Sequence, residues 1–315
     1  MPALIGLLLL GLLLSTVAPR LLARARWAER EPVLALLVWQ CLVVAVLLCC
    51  ALGLLLAASA ALPELRALLF RGAPHGVEAA YGLQEAEGWG RLCAAALAAG
   101  GVQTVLALTR EVRTAKALRN RRHAQLATRA PELPDSIESD RSRRERLVVL
   151  ESVRPEAWSL PGPDSRLVVT TGALRQLTDR ELAAVLSHER GHVRARHHWL
   201  QQFAQALASG FPGVGVFSAF RDQVAELVEL AADDRAARRH GRHTTALALA
   251  ELNLDRGVFG SCPPGLAQSP KRVDRLLAGR PRLSVPHRLR LTVGALAAPA
   301  VVVLLAAAPG LHSLL

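Results

Sequence analysis

Apolar residues in this chain run in blocks that alternate with arginine-rich stretches. Four blocks approach the length of membrane-crossing helices, because a hydrocarbon core about 30 Å thick needs roughly 20 apolar residues. Ala3–Ala18 is of marginal length, and Val33–Leu62 is long enough to cross with tilt. Leu92–Leu108 is the third, carrying Gly100, Gly101, Gln103 and Thr104, where neighbouring helices can pack closely. Leu291–Leu311 is the last. Pro63–Arg91 reads as a loop, and Pro131–Arg144, polar with proline and serine, as a mobile linker. Leu147–Ser152 and Arg166–Thr171 predict strands, joined through Ala157–Gly162 with Pro163-Asp164 as turn material. Trp199–Phe220 is apolar but interrupted by Gln201, Gln202, Gln205, Ser209 and Pro212. Those amides are costly in hydrocarbon, which favours an interfacial helix broken at Phe211-Pro212-Gly213 over a fifth span. Asp222–His240 predicts a further helix.

The chain has 315 residues, of which 51% are hydrophobic and only 4% aromatic, with a formal charge of +12. The basic residues are nearly all arginine and stand beside the apolar blocks without interleaved aromatics. That pattern fits the positive-inside bias of membrane proteins, and no direct nucleic-acid binding is expected. Arg20, Arg24, Arg26 and Arg30 follow the first block, whereas a secretory leader would carry its charge before it, so a retained helix is expected. Arg110, Arg113, Lys116, Arg119, Arg121, Arg122 and Arg129 follow the third block, and Arg280, Arg282, Arg288 and Arg290 precede the last. These marks place residues 110–288 in the cytoplasm between an N-terminal membrane domain (1–109) and a C-terminal helix (289–315), with both termini outside. The five cysteines have no spacing that makes a disulfide framework or a cysteine–zinc site.

Within the inner segment, Leu186-Ser187-His188-Glu189-Arg190-Gly191-His192 contains H-E-x-x-H. On a helix, residues four apart share a face with Cβ atoms about 5–6 Å apart, so both imidazoles reach one metal ion. Glu189 lies one residue round from the first ligand, where its carboxylate can take a proton from an attacking water activated by zinc. Thr178-Asp179-Arg180-Glu181 reads as a capping box, and Leu182, Val185 and Leu186 form the apolar stripe of the same helix. The competing reading is a buried, hydrogen-bonded histidine pair. Downstream, Glu229 and Asp233 share a helical face. One carboxylate can complete a His-His-Glu site while the other holds a ligand imidazole by its free N–H. Glu226 is the alternative third ligand, and a solvated acidic stripe paired with Arg235, Arg238 and Arg239 is the plain structural alternative. Val168, Val169 and Thr170, on the strand before the helix, are candidates to bind an extended peptide by strand addition.

L-S-H-E-R-G-H, the arginine-rich helix end, the Phe-Pro break and E-L-A-A-D resemble the gluzincin domain of BlaR/MecR-type membrane metallopeptidases. That family also places three spans before a cytoplasmic zinc domain and one after it. The resemblance implies a mainly α, four-helix integral membrane protein of the bacterial inner membrane, with an α+β gluzincin domain in the cytoplasm. It implies Zn2+ held by His188, His192 and Glu229, Glu189 as the base, and Asp233 behind a ligand. It further implies membrane lipid and a peptide substrate as partners, the substrate being a winged-helix repressor in signalling members. The stretch Val168–Glu189 is also similar to HtpX-like and CAAX-protease-like gluzincins, which makes a quality-control membrane protease the alternative, beside a non-catalytic transducer keeping the fold. Ser269-Pro270 with Arg275-Leu276 matches their late H-P-x-x-x-x-R-I segment, with Ser269 replacing the histidine. Arg275, His197 and His198 are therefore the candidates for transition-state stabilisation. Sensor members continue into an extracellular penicillin-binding domain, whereas this chain ends at Leu315, so direct β-lactam sensing is not expected of it.

Overall fold

The computed structural model describes residues 2–74, 76–83, 87–129, 145–160, 165–252 and 269–313. The predicted linker at 131–144, the turn at 161–164 and Cys262 lie outside the described residues. The chain is mainly helical. Helix α1 (Pro2–Thr16) continues after a break at Val17 into α2 (Ala18–Ala23), followed by α3 (Pro32–Ala61). The predicted loop after α3 contains two short helices, α4 (Pro63–Leu69) and α5 (Val77–Ala80). Next comes α6 (Glu87–Arg129), which runs without a break from the third apolar block through the arginine-rich stretch. The expected boundary at 109/110 thus falls inside one helix. The last helix, α13 (Val285–His312), begins six residues before the expected Leu291, so Arg288 and Arg290 lie in its first turns. Pro2–Ala23, Pro32–Ala61, Gly88–Leu118 and Val285–His312 are each long and apolar enough to cross a membrane.

Close approaches fix how these helices run. Gly53 faces Leu4 and Leu97, Gly11 faces Cys49, Gly90 faces Ala60, and Gly6 faces Leu305. So α1 and α6 run antiparallel to α3, and α13, with Arg288 near Glu31 (3.7 Å) and Val302 packed in one cluster with Ala45 and Cys49, runs parallel to it. A Cβ at Gly90 would stand 2.9 Å from that of Ala60, so the backbones of α6 and α3 meet where only glycine fits.

The segment between α6 and α13 opens with a three-stranded sheet of β1 (Glu145–Leu150), β2 (Ala157–Leu160) and β3 (Ser165–Thr170), in the order β1-β3-β2. β1 is parallel to β3 and β2 antiparallel to it. β2 corrects the expectation that Ala157–Leu160 is connecting chain. Four residues bounded by prolines at 155 and 161 are too short for alternation to declare a strand. Helix α7 (Thr171–Gln176) then leads to α8 (Asp179–Arg194). The capping box forms: the Glu181 N–H donates to Thr178 Oγ1 (3.4 Å), and Glu181 Oε2 accepts from the Thr178 N–H (2.8 Å) and hydroxyl (2.7 Å).

The interrupted stretch 199–220 resolves into two helices, α9 (His197–Gly210) and the start of α10 (Gly215–His240), broken at Phe211 as expected. They form a hairpin, not a span. α10 packs along the first half of α3, with Trp39 and Phe220 fully buried and their ring centroids 6.5 Å apart. α9 packs on α6, where Gln103 Nε2 donates to the Gly210 carbonyl (3.2 Å). A Cβ on Gly210 would stand 2.8 Å from that of Ala107, so the hairpin docks by backbone approach. Helices α11 (Arg242–Glu251) and α12 (Ser269–Ala278) complete the described elements.

Candidate metal centre

Two helices meet to build the site. α8 carries His188 and His192, and α10 carries Glu229 and Asp233, with α8 laid across α10 at Gly191. A Cβ there would stand 3.5 Å from Ala232 Cα, so a small residue at each helix brings the ligand-bearing faces together. The Nε2 atoms of His188 and His192 are 3.1 Å apart. Glu229 Oε2 lies 3.5 Å from His188 Nε2, and Oε1 lies 3.5 Å from His192 Nε2. The three residues offer donor atoms all within 4.8 Å of one another. Two imidazoles and one carboxylate are the donor set of a three-ligand zinc site with one position left open, so the residues present fit zinc.

The outer ring nitrogens are partnered as well. His188 Nδ1 lies 3.0 Å from Asp233 Oδ1, and His192 Nδ1 lies 3.0 Å from His197 Nδ1. Bonds of this kind select the tautomer that leaves Nε2 free for a metal. His197 reaches His192 because Arg196 takes a left-handed backbone conformation (φ 53) between α8 and α9, turning the chain back on itself. His197, expected as a transition-state stabiliser, is thus buried with its Nδ1 against His192. His198 lies tilted against Trp199 with 5.6 Å between ring centroids, outside the group of His188, His192 and Glu229.

Arg272 of α12 was not anticipated. It is buried and grips Asp233 with two bonds, Nε to Oδ2 (2.8 Å) and Nη2 to Oδ1 (2.7 Å), while Nη1 lies 3.1 Å from Glu229 Oε2. Arg275, the residue expected here, points the other way, donating to Asp234 (2.8 Å) and to the Glu29 carbonyl (2.7 Å). The two arginines are three positions apart on one amphipathic helix. Spacing alone did not say which one faces the carboxylates. Glu226 is not in the group of close donor atoms that His188, His192 and Glu229 form, and its charged neighbours are Glu29 and Lys271; burial and then Glu29 raise its pKa, with Lys271 opposing.

The electrostatics follow from this crowding. Burial drives the Glu229 and Asp233 carboxyls upward, but Arg272 and the histidines outweigh it and hold both below the usual carboxylate range. Burial drives His188 down, yet the hydrogen bonds and charges of Asp233 and Glu229 raise it to about 10. His192 has less help against burial and falls to about 4. Glu189 is fully enclosed, and burial raises its pKa against the opposing effects of His188 and of Ser159, whose hydroxyl donates to Glu189 Oε2 at 2.8 Å.

The expected peptide-binding residues need correction. Val168, Val169 and Thr170 lie on β3, the central strand, between Val148–Leu150 of β1 and Ala157–Trp158 of β2. Both of its edges are taken, and Thr170 Oγ1 caps α7 through the Ala173 N–H. Among the described residues β2 pairs with β3 alone, and β2 carries Ser159 against Glu189.

The model of Peptidase family M48 matches residues 120–232, a segment that contains both histidines, Glu189 and Glu229 but ends before Asp233 and Arg272. The chain is 27% identical over 148 residues to a protease HtpX homologue of Ralstonia nicotianae, covering 43% of this chain and 52% of the relative. The chain thus spans about half the length of that curated relative. No solved structure matches it.

Proposed function

We propose that this chain is a zinc-dependent endopeptidase of the bacterial inner membrane, acting at the cytoplasmic face on an extended segment of a cytoplasmic or membrane-proximal protein. The observation that carries the reading is the inward convergence of His188, His192 and Glu229 beside a buried Glu189. The similarity of residues 120–232 to Peptidase family M48, and that to an HtpX homologue, support the same chemistry.

Zinc, when bound by these residues, would supply a Lewis acid that polarises the scissile carbonyl and lowers the pKa of a water. The protein's own groups do the rest. Glu189 takes a proton from the attacking water as the new C–O bond forms and delivers it to the amide nitrogen as the C–N bond breaks. Its raised pKa suits both transfers, and the Ser159 hydroxyl aims the carboxylate. The edge of β2 that pairs with no strand among the described residues is where an extended substrate would add as a strand, bringing a peptide bond past Glu189.

The similarity to an HtpX homologue favours membrane-protein quality control as the physiological task. The BlaR/MecR-like span pattern carries the narrower signalling reading, in which the substrate is a winged-helix repressor. Incubating purified chain with each candidate separates the two. Glu189→Gln decides whether the chain is an enzyme at all. Turnover of a cleaved substrate should fall about 10²- to 10⁴-fold while zinc content holds, because the amide keeps shape and loses the base. Cleavage surviving at a similar rate would refute the mechanism, and no cleavage by wild type would leave a transducer. Impermeant thiol labelling of Arg180→Cys and Ser313→Cys, in a background without native cysteines, should give opposite sides.

A further inference from the structure

One cavity lies apart from the metal centre. Its volume is about 180 Å³, and its wall carries six arginines, Arg30, Arg238, Arg242, Arg275, Arg280 and Arg282, against two acids, Glu29 and Asp234. The two acids are already engaged. Arg275 holds Asp234 (2.8 Å), and Arg280 holds the Glu29 carboxylate (3.1 Å). Among the described residues Arg30, Arg238, Arg242 and Arg282 make no ion pair. Guanidinium groups around one concavity repel one another, and an anion seated there relieves that repulsion.

The backbone gathers these groups deliberately. Gly241 (φ 88) turns the chain between α10 and α11, so Arg238 and Arg242 flank one corner. Gly279 (φ 58) turns it after α12, ahead of Arg280 and Arg282. Arg242 Nη1 would stand only 2.7 Å from a Cβ at Gly279, so its guanidinium is seated against bare backbone. Glu29 and Arg30 lie just before Pro32, the start of α3, and Arg282 lies three residues before Val285, the start of α13. Two helices long and apolar enough to cross a membrane therefore begin at this cavity, which on the membrane placement proposed above puts it beside the lipid headgroups.

We propose that this cavity is a binding site for a phosphate group, as presented by an anionic phospholipid headgroup or by a free phosphate. Guanidinium forks match the oxygens of phosphate in pairs, and a lipid phosphate at the start of two spans needs no displacement to reach them. The proposal rests on the membrane placement above but not on proteolysis, and it holds equally for a Glu189→Gln chain. A consequence follows for α12. Arg272 grips the metal-site carboxylates from the same helix on which Arg275 lines the cavity, so the two sites share one rigid part.

The test uses the full chain in neutral detergent, with native mass spectrometry of bound phosphatidylglycerol and phosphatidylcholine, and a thermal-shift titration with inorganic phosphate. The variants are Arg238→Gln/Arg242→Gln and the single Arg282→Gln. The control is Arg110→Gln/Arg113→Gln, exposed arginines of α6 at the same end of the apolar helices. Size exclusion and zinc content confirm folding. Phosphatidylglycerol retention at least about tenfold above phosphatidylcholine, lost in both cavity variants and kept in the control, supports a lipid site. Saturable stabilisation by millimolar phosphate that displaces phosphatidylglycerol and disappears in the cavity variants supports a free-phosphate site. Equal retention of both lipids without a phosphate response overturns the proposal. So does anion binding that falls as much in the control as in the cavity variants.

Discussion

The apolar helices and the metal centre invert each other. Only 6% of the apolar window in Gly88–Leu118 is buried within the protein, and 11% in Val285–His312, so these helices turn leucine and valine outward. At the metal centre the enclosed residues are His188, Glu189, Asp233 and Arg272, all between 1% and 6% exposed. Burial here is not a measure of hydrophobicity. Apolar surface is left outside where lipid can cover it, and charge is enclosed where every charge has a partner. Enclosed charge without partners costs several kcal/mol per group, so the comparison depends on Arg272 as much as on the candidate ligands His188, His192 and Glu229.

Removing Arg272 breaks the comparison most directly. Arg272→Met should lower unfolding free energy by about 3–5 kcal/mol, because Asp233 is left buried with one partner fewer. Arg272→Lys keeps the charge but loses the two-bond fork, and should recover part of that stability while zinc affinity remains reduced. Chemical denaturation with a zinc competition assay checks both, and two variants as stable as wild type would mean the pair is not what holds the site. The opposite inversion is Val301→Arg, which puts a charge on the outward face of α13 at a residue 50% exposed. Membrane integration should lose about 2.5–3.5 kcal/mol, visible as chain released by alkaline extraction. Unchanged integration would show that this face does not meet lipid.

Smaller effects sharpen the picture around His188. Asp233→Ala should weaken zinc binding roughly 10- to 100-fold, measured with a chelating indicator, because His188 loses the partner that fixes its tautomer. The last prediction concerns protons. In the metal-free protein His188 titrates at about 10, above its unfolded value of about 6.5. The stability it contributes is complete below the unfolded value and is lost as pH rises through about 10. Zinc must displace that proton, so affinity should climb with pH across this window, with about one proton released per ion at pH 8. His192, at about 4, is already neutral there and releases none. Calorimetry in buffers of different ionisation heat measures the number, and a value near zero would mean Asp233 does not hold His188 protonated.

Local chemistry was legible wherever neighbours along the chain suffice. The Thr178–Glu181 box, the i,i+4 histidines, the break at Phe211 and the length of each apolar block depend on spacing and side-chain type within one or two turns. The sequence by itself therefore determined that the four apolar blocks, the capped histidine stretch and the Glu229 stretch are helical, that His188 and His192 share a face, and that Glu229 and Asp233 share another, while the short helices α4, α5, α7, α11 and α12 went unread. The tertiary structure decided everything set by which faces meet. It made β3 central and β2 the edge, which a four-residue strand between prolines does not announce. It placed His197 behind His192 through one left-handed residue, Arg196. It chose Arg272 over Arg275, though both lie on one side of α12, because α12 rests across α10 with Asp233 on one flank and Asp234 on the other. A helical pattern states which residues lie together on a surface, and only packing states what that surface touches.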